Sequence, residues 1–210
     1  MTRLLKVSHG ALGDAVEVIK SGGLVAYPTD TVYALGCDPF NAEAVFRLLK
    51  AKERAGGALP VLVDSLEKAE EIGSLDEVAH RLARNYWPGP LTIVVPVKVR
   101  LPPQVTGSTD TIGLRIPRGS DTLDFITSSG QALVGTSANI AGNASSKSAE
   151  EVLRELDGRI DLILDGGPAT IGIESTIVKV DSGRITILRE KAIAREEIFG
   201  TLTANPNQTL

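Results

Sequence analysis

Apolar positions along the chain switch between a helical and a strand period, and the switches divide it into elements. Ala15, Val16, Val18 and Ile19 recur at helical spacing within Gly13–Lys20, and Gly22-Gly23 supplies a stop. Leu24–Tyr27 then reads as a short buried strand cut by Pro28. Asn41 is placed to cap a helix reaching Lys52, with Ala44, Val45, Leu48 and Leu49 as its apolar stripe. A strand at Leu59–Val63 precedes two acidic helices, Leu66–Ile72 and Leu75–Tyr86, and the longest β-like run, Leu91–Val97. Further strands are predicted at Thr111–Ile116, Ala132–Gly135, Asp161–Leu164, Glu174–Val180 and Ile185–Leu188. Ser148-Ala-Glu-Glu151 is a capping box opening a helix to Asp157, and a last helix covers Ala194–Phe199. Thr203–Leu210 reads as a polar tail.

About eight strands alternating with helices predict a mixed α/β fold with one mixed sheet. No repeat, low-complexity run or linker divides the 210 residues, so residues 1–202 are expected to form a single domain, with 203–210 as the tail. Hydrophobic content of 42% with 23% charged residues is globular and argues against disorder. The net charge of −4 means that nucleic-acid binding would need a local basic patch. The single cysteine, Cys37, excludes an internal disulfide and a Cys-based metal cluster, and it fits a reducing compartment. No run of about 20 apolar residues exists for a membrane span. The N-terminal Met1–Lys6 is charged too early to read as a secretory signal, so a cytoplasmic location is expected.

Phosphate-loop, dinucleotide, nucleophile-elbow and zinc-protease signatures are absent. His9, in an N-terminal arm, and His80, in an acidic helix, have no partner motif, which argues against a His-dependent triad. Polar residues instead cluster after predicted strands, where open α/β sheets bind ligands. Pro28-Thr-Asp-Thr-Val-Tyr33 is either a self-bonded turn or a ligand loop. Lys50-Ala-Lys52-Glu-Arg54 places cations at a helix C-terminus, where they serve the helix dipole or clamp a polyphosphate. In Thr111–Pro117 the alternation leaves Thr111, Gly113 and Arg115 on one face. A mid-strand arginine needs a protein carboxylate or a bound substrate carboxylate, because burying it unpaired is costly. Gly135-Thr-Ser137-Ala-Asn139, Ser145, Glu174-Ser175-Thr176 and Arg189 complete the set. Such a site, with cations, hydroxyls and no nucleophile, works by orientation and charge stabilisation.

Six collinear motifs then carry a resemblance. They are Pro28-Thr-Asp-Thr-Val-Tyr33, Lys52-x-Arg54, Trp87-Pro-Gly-Pro-Leu-Thr92, Ser137-Ala-Asn139, Asp165-Gly-Gly167 and Gly172-Ile-Glu-Ser-Thr176. From about Gly13 to Phe199 the chain resembles the YrdC-like family, whose activity is threonylcarbamoyl-AMP synthesis. The resemblance implies a single twisted mixed sheet with a positively lined central cavity. It implies a nucleotidyltransferase that converts L-threonine, bicarbonate and ATP to threonylcarbamoyl-adenylate and pyrophosphate, the first step of a tRNA modification. By the same resemblance Thr31, Arg115, Gly135 and Ser175 are threonine ligands, and Arg54, Thr111, Ser137, Asn139, Ser145 and Arg189 are ATP ligands. Lys52 and Arg54 are the catalytic cations, with Lys52 and Asn139 touching phosphate or carbamate. Mg²⁺ accompanies ATP without side-chain ligands, and tRNA or the threonylcarbamoyl-transfer machinery is the candidate macromolecular partner.

Two departures from the family pattern stand out. Arg54-Ala-Gly-Gly-Ala-Leu59 is one residue short and has Gly57 where a polar ATP ligand is usual, and Arg189 is followed by Glu190-Lys191 in place of Pro-Gly. Lys50 or Lys191 is a candidate compensating cation. The second C-terminal domain of longer members is not expected within these 210 residues. Two other functions compete: a HypF-like module with different carbamoyl-adenylate chemistry, and a non-catalytic RNA-binding module. The one cysteine counts against the zinc-finger context of the former. The charge of −4 and 4% aromatic content count against the latter.

Overall fold

A computed structural model describes residues 1–203. In chain order it contains β1 (Arg3–Lys6), α1 (His9–Lys20), β2 (Val25–Tyr27), β3 (Ala34–Gly36), α2 (Ala42–Ala51), β4 (Val61–Val63) and α3 (Leu66–Ile72). Next come α4 (Glu77–Tyr86), β5 (Leu91–Pro96), α5 (Pro103–Thr106), β6 (Thr111–Arg115), α6 (Ser120–Ser128), β7 (Ala132–Val134) and β8 (Thr136–Ser137). The chain continues with α7 (Ala149–Leu156), β9 (Leu162–Asp165), β10 (Thr176–Asp181), β11 (Arg184–Arg189) and α8 (Arg195–Thr203). Thr203 therefore ends α8, and the rest of the expected polar tail, residues 204–210, lies outside the described residues.

The mixed α/β class is as expected, but the strands form two hydrogen-bonded sheets in place of one. The orders are β1-β9-β2-β3-β8 and β11-β10-β5-β6-β4-β7, each with parallel and antiparallel pairs. The break falls at Gly135, between β7 in one sheet and β8 in the other. There the Gly135 N–H donates to the Pro60 carbonyl at 2.9 Å, while Val134 N–H reaches the Cys37 carbonyl at 3.0 Å. The two sheets thus stay stitched together across the break. A side chain on residue 135 would not fit, since a Cβ would come 2.3 Å from Leu62 Cγ.

Capping explains most helix boundaries. Asn41 Oδ1 accepts from Glu43 N and Ala44 N, both at 3.1 Å, and Ser148 Oγ accepts from Glu151 N at 3.3 Å. Asp76 caps α4 through Ala79 N at 2.9 Å, so that helix starts two residues later than its hydrophobic pattern suggests. Helix α1 begins four residues earlier than predicted, because Ser8 Oγ accepts from Ala11 N. His9 accordingly lies on a helix, not in an arm.

Two apolar clusters flank the sheets. One packs α2, α4 and α7 against strands of both sheets, with Leu48, Leu82, Val152, Ile93 and Leu114 completely buried. The other packs α1 and α6 against β2 and β9 through Ala15, Ile19, Phe125 and Leu162. The Tyr27 and Phe125 rings meet edge-on at 5.2 Å between centroids. Among the described residues no helix is long and apolar enough to cross a membrane.

Candidate active site

Where the sheets meet they enclose a cavity of about 200 Å³. Its wall carries Thr31 from the loop after β2, Arg54 beyond α2, Arg115 at the end of β6 and Gly135–Ser137 at the sheet junction. Glu174 and Ser175, from the loop before β10, and Arg189, at the end of β11, close the other side. These are the strand ends and connecting loops in which the polar motifs of the sequence fall.

Arg115 is 5% exposed and turns inward. Its Nε donates to the Gly89 carbonyl at 2.8 Å, one Nη1 hydrogen goes to Thr31 Oγ1 at 2.8 Å, and Nη2 makes a very close ion pair with Asp30 Oδ1. Of the two sequence alternatives for its partner, the protein carboxylate is present: Asp30 meets one edge of the guanidinium, and the side chain also lines the cavity. Three of the five guanidinium donors are engaged, leaving two on a side chain that lines the cavity. Burial lowers the guanidinium pKa, and the neighbouring Asp30 opposes that shift.

Asp30 also accepts from Arg118 N at 3.1 Å, and its backbone carbonyl receives Ile171 N at 2.8 Å. Its second carboxylate oxygen, Oδ2, is buried with no hydrogen-bond partner. Sequence reasoning placed Asp30 only in a self-bonded turn or a ligand loop, and not opposite Arg115; the signal was the demand of a buried Arg115 for a carboxylate.

Ser175 and Arg189 form a second group. Arg189 Nε and Nη2 donate to the Ser175 carbonyl at 3.1 and 2.9 Å, and Ser175 Oγ lies 2.8 Å from Thr92 Oγ1. Arg54 holds its own loop, donating to the carbonyls of Gly56 at 2.8 Å and Ala58 at 3.1 Å. Partial burial pulls the pKa values of Arg54 and Arg189 below the usual arginine range. Glu174 is the only acidic residue in the wall among the described residues; Ser145 Oγ donates to its Oε1 at 2.7 Å, which holds the carboxyl below its usual pKa.

Of the residues singled out in the sequence, the structure brings Thr31, Arg54, Arg115, Gly135, Ser137, Ser175 and Arg189 to one cavity wall. It does not bring Thr111, Asn139, Ser145 or Lys52 to the wall. Thr111 shares a strand face with Arg115, yet four residues of strand separate them by roughly 13 Å. Thr111 instead lies beside Thr109, hydroxyl to hydroxyl at 3.1 Å. Asn139 donates through Nδ2 to the carbonyls of Ile140 and Asn143, at 2.8 and 2.9 Å. Ser145 stands one hydrogen bond behind the wall, on Glu174. Lys52 is buried behind the wall, its Nζ donating to the carbonyls of Ser137 and Asn139.

Both departures take a definite form. Ala58, not Gly57, occupies the wall next to Arg54. Glu190 turns away from the cavity, its Oε1 accepting from Arg195 N at 3.0 Å at the start of α8. Lys191 approaches Glu174 Oε2 at 4.0 Å. Among the described residues no three His, Cys, Asp or Glu side chains group to hold a metal.

A mixed α/β fold whose cavity is lined by three arginines, several hydroxyls and one carboxylate has the lining of a site suited to an anionic ligand. A family profile for Sua5, YciO and YrdC proteins, described as telomere recombination, matches residues 17–191. The threonylcarbamoyl-AMP synthase of Pyrococcus abyssi is 38% identical over 88% of this chain and 55% of its own length. That of Bacillus subtilis is 35% identical over 94% of this chain and 58% of its own. The Thiobacillus denitrificans enzyme of the same name is 36% identical over 84% of this chain and 95% of its own. The chain belongs to the Sua5/YciO/YrdC family. It spans little more than half the length of the first two relatives.

Among solved structures, P. abyssi Sua5 complexed with L-threonine superposes with a TM-score of 0.91 at 34% identity, over 97% of this chain and 61% of that one. Escherichia coli YciO shares the fold, with a TM-score of 0.85 at 24% identity over 95% of this chain and all of its own. HypF shares it as well, at 0.77 and 20% identity over 86% of this chain and 29% of that one.

Proposed function

We propose that this chain is a threonylcarbamoyl-AMP synthase, forming threonylcarbamoyl-adenylate and pyrophosphate from L-threonine, bicarbonate and ATP. The observation that carries the reading is Arg115, inward, fixed on three sides and with two donors left on a side chain that lines the cavity. A planar fork of this kind suits a carboxylate. The relative complexed with L-threonine, of the same fold over almost the whole chain, supports it.

In this reading Arg115 and Ser175 hold the threonine carboxylate, with Thr31 and the Gly135 backbone beside it. The amine is left free to become a carbamate, and a carbamate oxygen attacks the α-phosphorus of ATP. Arg54 and Arg189 take the phosphates and stabilise the departing pyrophosphate, with Ser137 alongside. Ser145 joins them only by giving up its bond to Glu174, and Thr111 and Asn139 fall outside the contact set.

Mg²⁺ fits the donor set, since it is typically held by phosphates, water and one or two carboxylates, and Glu174 supplies a carboxylate at the wall. When bound it would neutralise phosphate charge. The product would pass to the tRNA threonylcarbamoyl-transfer machinery in the cytoplasm, a placement in keeping with the single, buried, unpaired Cys37.

The test is a pyrophosphate-release assay with ATP, magnesium and bicarbonate, run with and without threonine. Threonine-dependent release is expected. Its absence, or equal release when carbamoyl phosphate replaces threonine, overturns the reading.

A further inference from the structure

Lys52 occupies an unusual position for the first cation of a Lys-x-Arg motif. It is 2% exposed, does not line the cavity, and caps the C-terminus of α2. Its Nζ donates to the carbonyls of Ser137, very closely, and of Asn139, at 2.7 Å. Its own carbonyl accepts from Ala141 N at 2.8 Å. The Ser137–Ala141 segment is therefore tied to the end of α2 at three points, and Ser137 is the residue of that segment whose other side forms cavity wall.

Two further charges act on this ammonium. Arg54, two residues on, lines the cavity and repels it; Glu155, on α7, attracts it while accepting from Ile140 N at 3.2 Å and Asn143 Nδ2 at 2.8 Å. Two carbonyl bonds do not require a charge, because a neutral amine still has two N–H donors. What the proton adds is a unit of positive charge directly behind the wall beside Arg54. A buried positive charge acts on a nearby anion with little screening.

We propose that Lys52 is a positioning residue that clamps the Ser137–Asn139 segment from behind and, when protonated, lends its charge through the wall to a bound polyphosphate. Nucleotide binding is then coupled to proton uptake by this lysine. The inference rests on the reading of the cavity as an ATP site. Burial, reinforced by Arg54, pulls the Lys52 pKa down to about 8, which places the coupling in an accessible pH range. An arriving polyanion stabilises the charged form and raises that pKa, so the free protein gains a proton as it binds.

The experiment is titration calorimetry of the full chain with α,β-methylene-ATP and magnesium at pH 6.5 and pH 8. Each pH is run in two buffers of different ionisation enthalpy, for the wild type, Lys52→Arg and Lys52→Met. At pH 8 the wild type is expected to take up roughly half a proton per nucleotide, falling towards none at pH 6.5. Its affinity should drop up to about tenfold per pH unit above 8. Lys52→Arg, always charged, should bind without that uptake and with a flat profile; the terminal phosphate contributes proton release, the opposite sign, and cancels in the comparison. Lys52→Met should bind more weakly at both pH values. Nucleotide binding with no buffer-dependent difference between wild type and Lys52→Arg overturns the role of Lys52. No nucleotide binding by the wild type in any condition overturns the ATP reading itself. The wild-type arm decides even if Lys52→Met fails to fold.

Discussion

Removing both members of the Arg115–Asp30 pair should cost the fold clearly less than the sum of removing each alone. The side chains are 6% and 5% exposed, so neither can turn to water when its partner is lost. Arg115→Ala leaves the Asp30 carboxylate with only the Arg118 amide, and one of its oxygens is already without a partner. Asp30→Ala leaves a buried guanidinium held by Gly89 and Thr31 alone. Stranding a buried charge in this way typically costs about 3–5 kcal/mol. At about 2–4 °C per kcal/mol for a chain of this size, each single variant should melt about 6–20 °C below the wild type. The double variant strands no charge, so its loss should fall short of the sum by about 2–3 kcal/mol. Denaturant unfolding of the four proteins closes the cycle, and threonine titration of the folded variants should show Arg115→Ala losing affinity for threonine with ATP affinity little changed. Single losses below about 1 kcal/mol, or additivity, would refute the reasoning that Asp30 is what permits a buried arginine at this wall.

Arg54→Ala should weaken ATP by about 10- to 150-fold, the size of one charged contact, with threonine affinity unchanged in calorimetry; the reverse pattern overturns the assignment of roles. Gly135→Ala forces a Cβ to within 2.3 Å of Leu62 Cγ and should cost about 1–3 kcal/mol, so a wild-type melting temperature would show that the sheet junction is looser than described. Thr31→Val removes the acceptor 2.8 Å from Arg115 Nη1 and should cost about 1–3 kcal/mol while weakening threonine, read by melting and titration together. The folded lysine at position 52 releases its proton near pH 8 and the unfolded one near 10.5, so the unfolded state binds more protons between those values. Stability should therefore rise across that window relative to Lys52→Arg, as nucleotide affinity falls, and parallel pH curves for the two proteins would contradict it.

Helices with a clear stripe and cap were legible from the sequence: Asn41, Ser148 and the Leu66–Ile72 segment all fall as the pattern implies. Helix α6 was not, because Ser120–Ser128 is rich in Ser, Thr and Asp, and only Phe125 and Ile126 with Thr122 give it a buried face. Strands β1, β3 and β8 are short, two to four residues, and owe their extended form to neighbours far along the chain, such as β9 beside β1. No local period marks such strands. At the site, alternation put Arg115 on the correct face but placed Thr111 with it, since a strand face says nothing about distance along the strand. The motif reading brought Lys52 to the phosphates, whereas packing of α2 against the sheet junction puts it behind the wall. Burial decides that difference, and the sequence around Lys52 does not encode it locally.

The charge distribution shows how a chain of net charge −4 can gather cations around one cavity. Arg54, Arg115 and Arg189 face the cavity against Glu174 alone, and Lys52 stands behind. So many cations around one hollow repel each other, and each is quieted from outside: Arg115 by Asp30, Arg54 by the Gly56 and Ala58 carbonyls, Arg189 by the Ser175 carbonyl. Every one of these partners is protein, already in place before a ligand arrives, so binding needs no large rearrangement of the cations. Because backbone carbonyls neutralise less than a carboxylate does, Arg54 keeps more of its field than Arg115, while the Glu174 carboxylate offsets part of that of Arg189. In the proposed reading, that difference directs a triphosphate towards the Arg54 side of the cavity and leaves the half-compensated Arg115 to a single carboxylate.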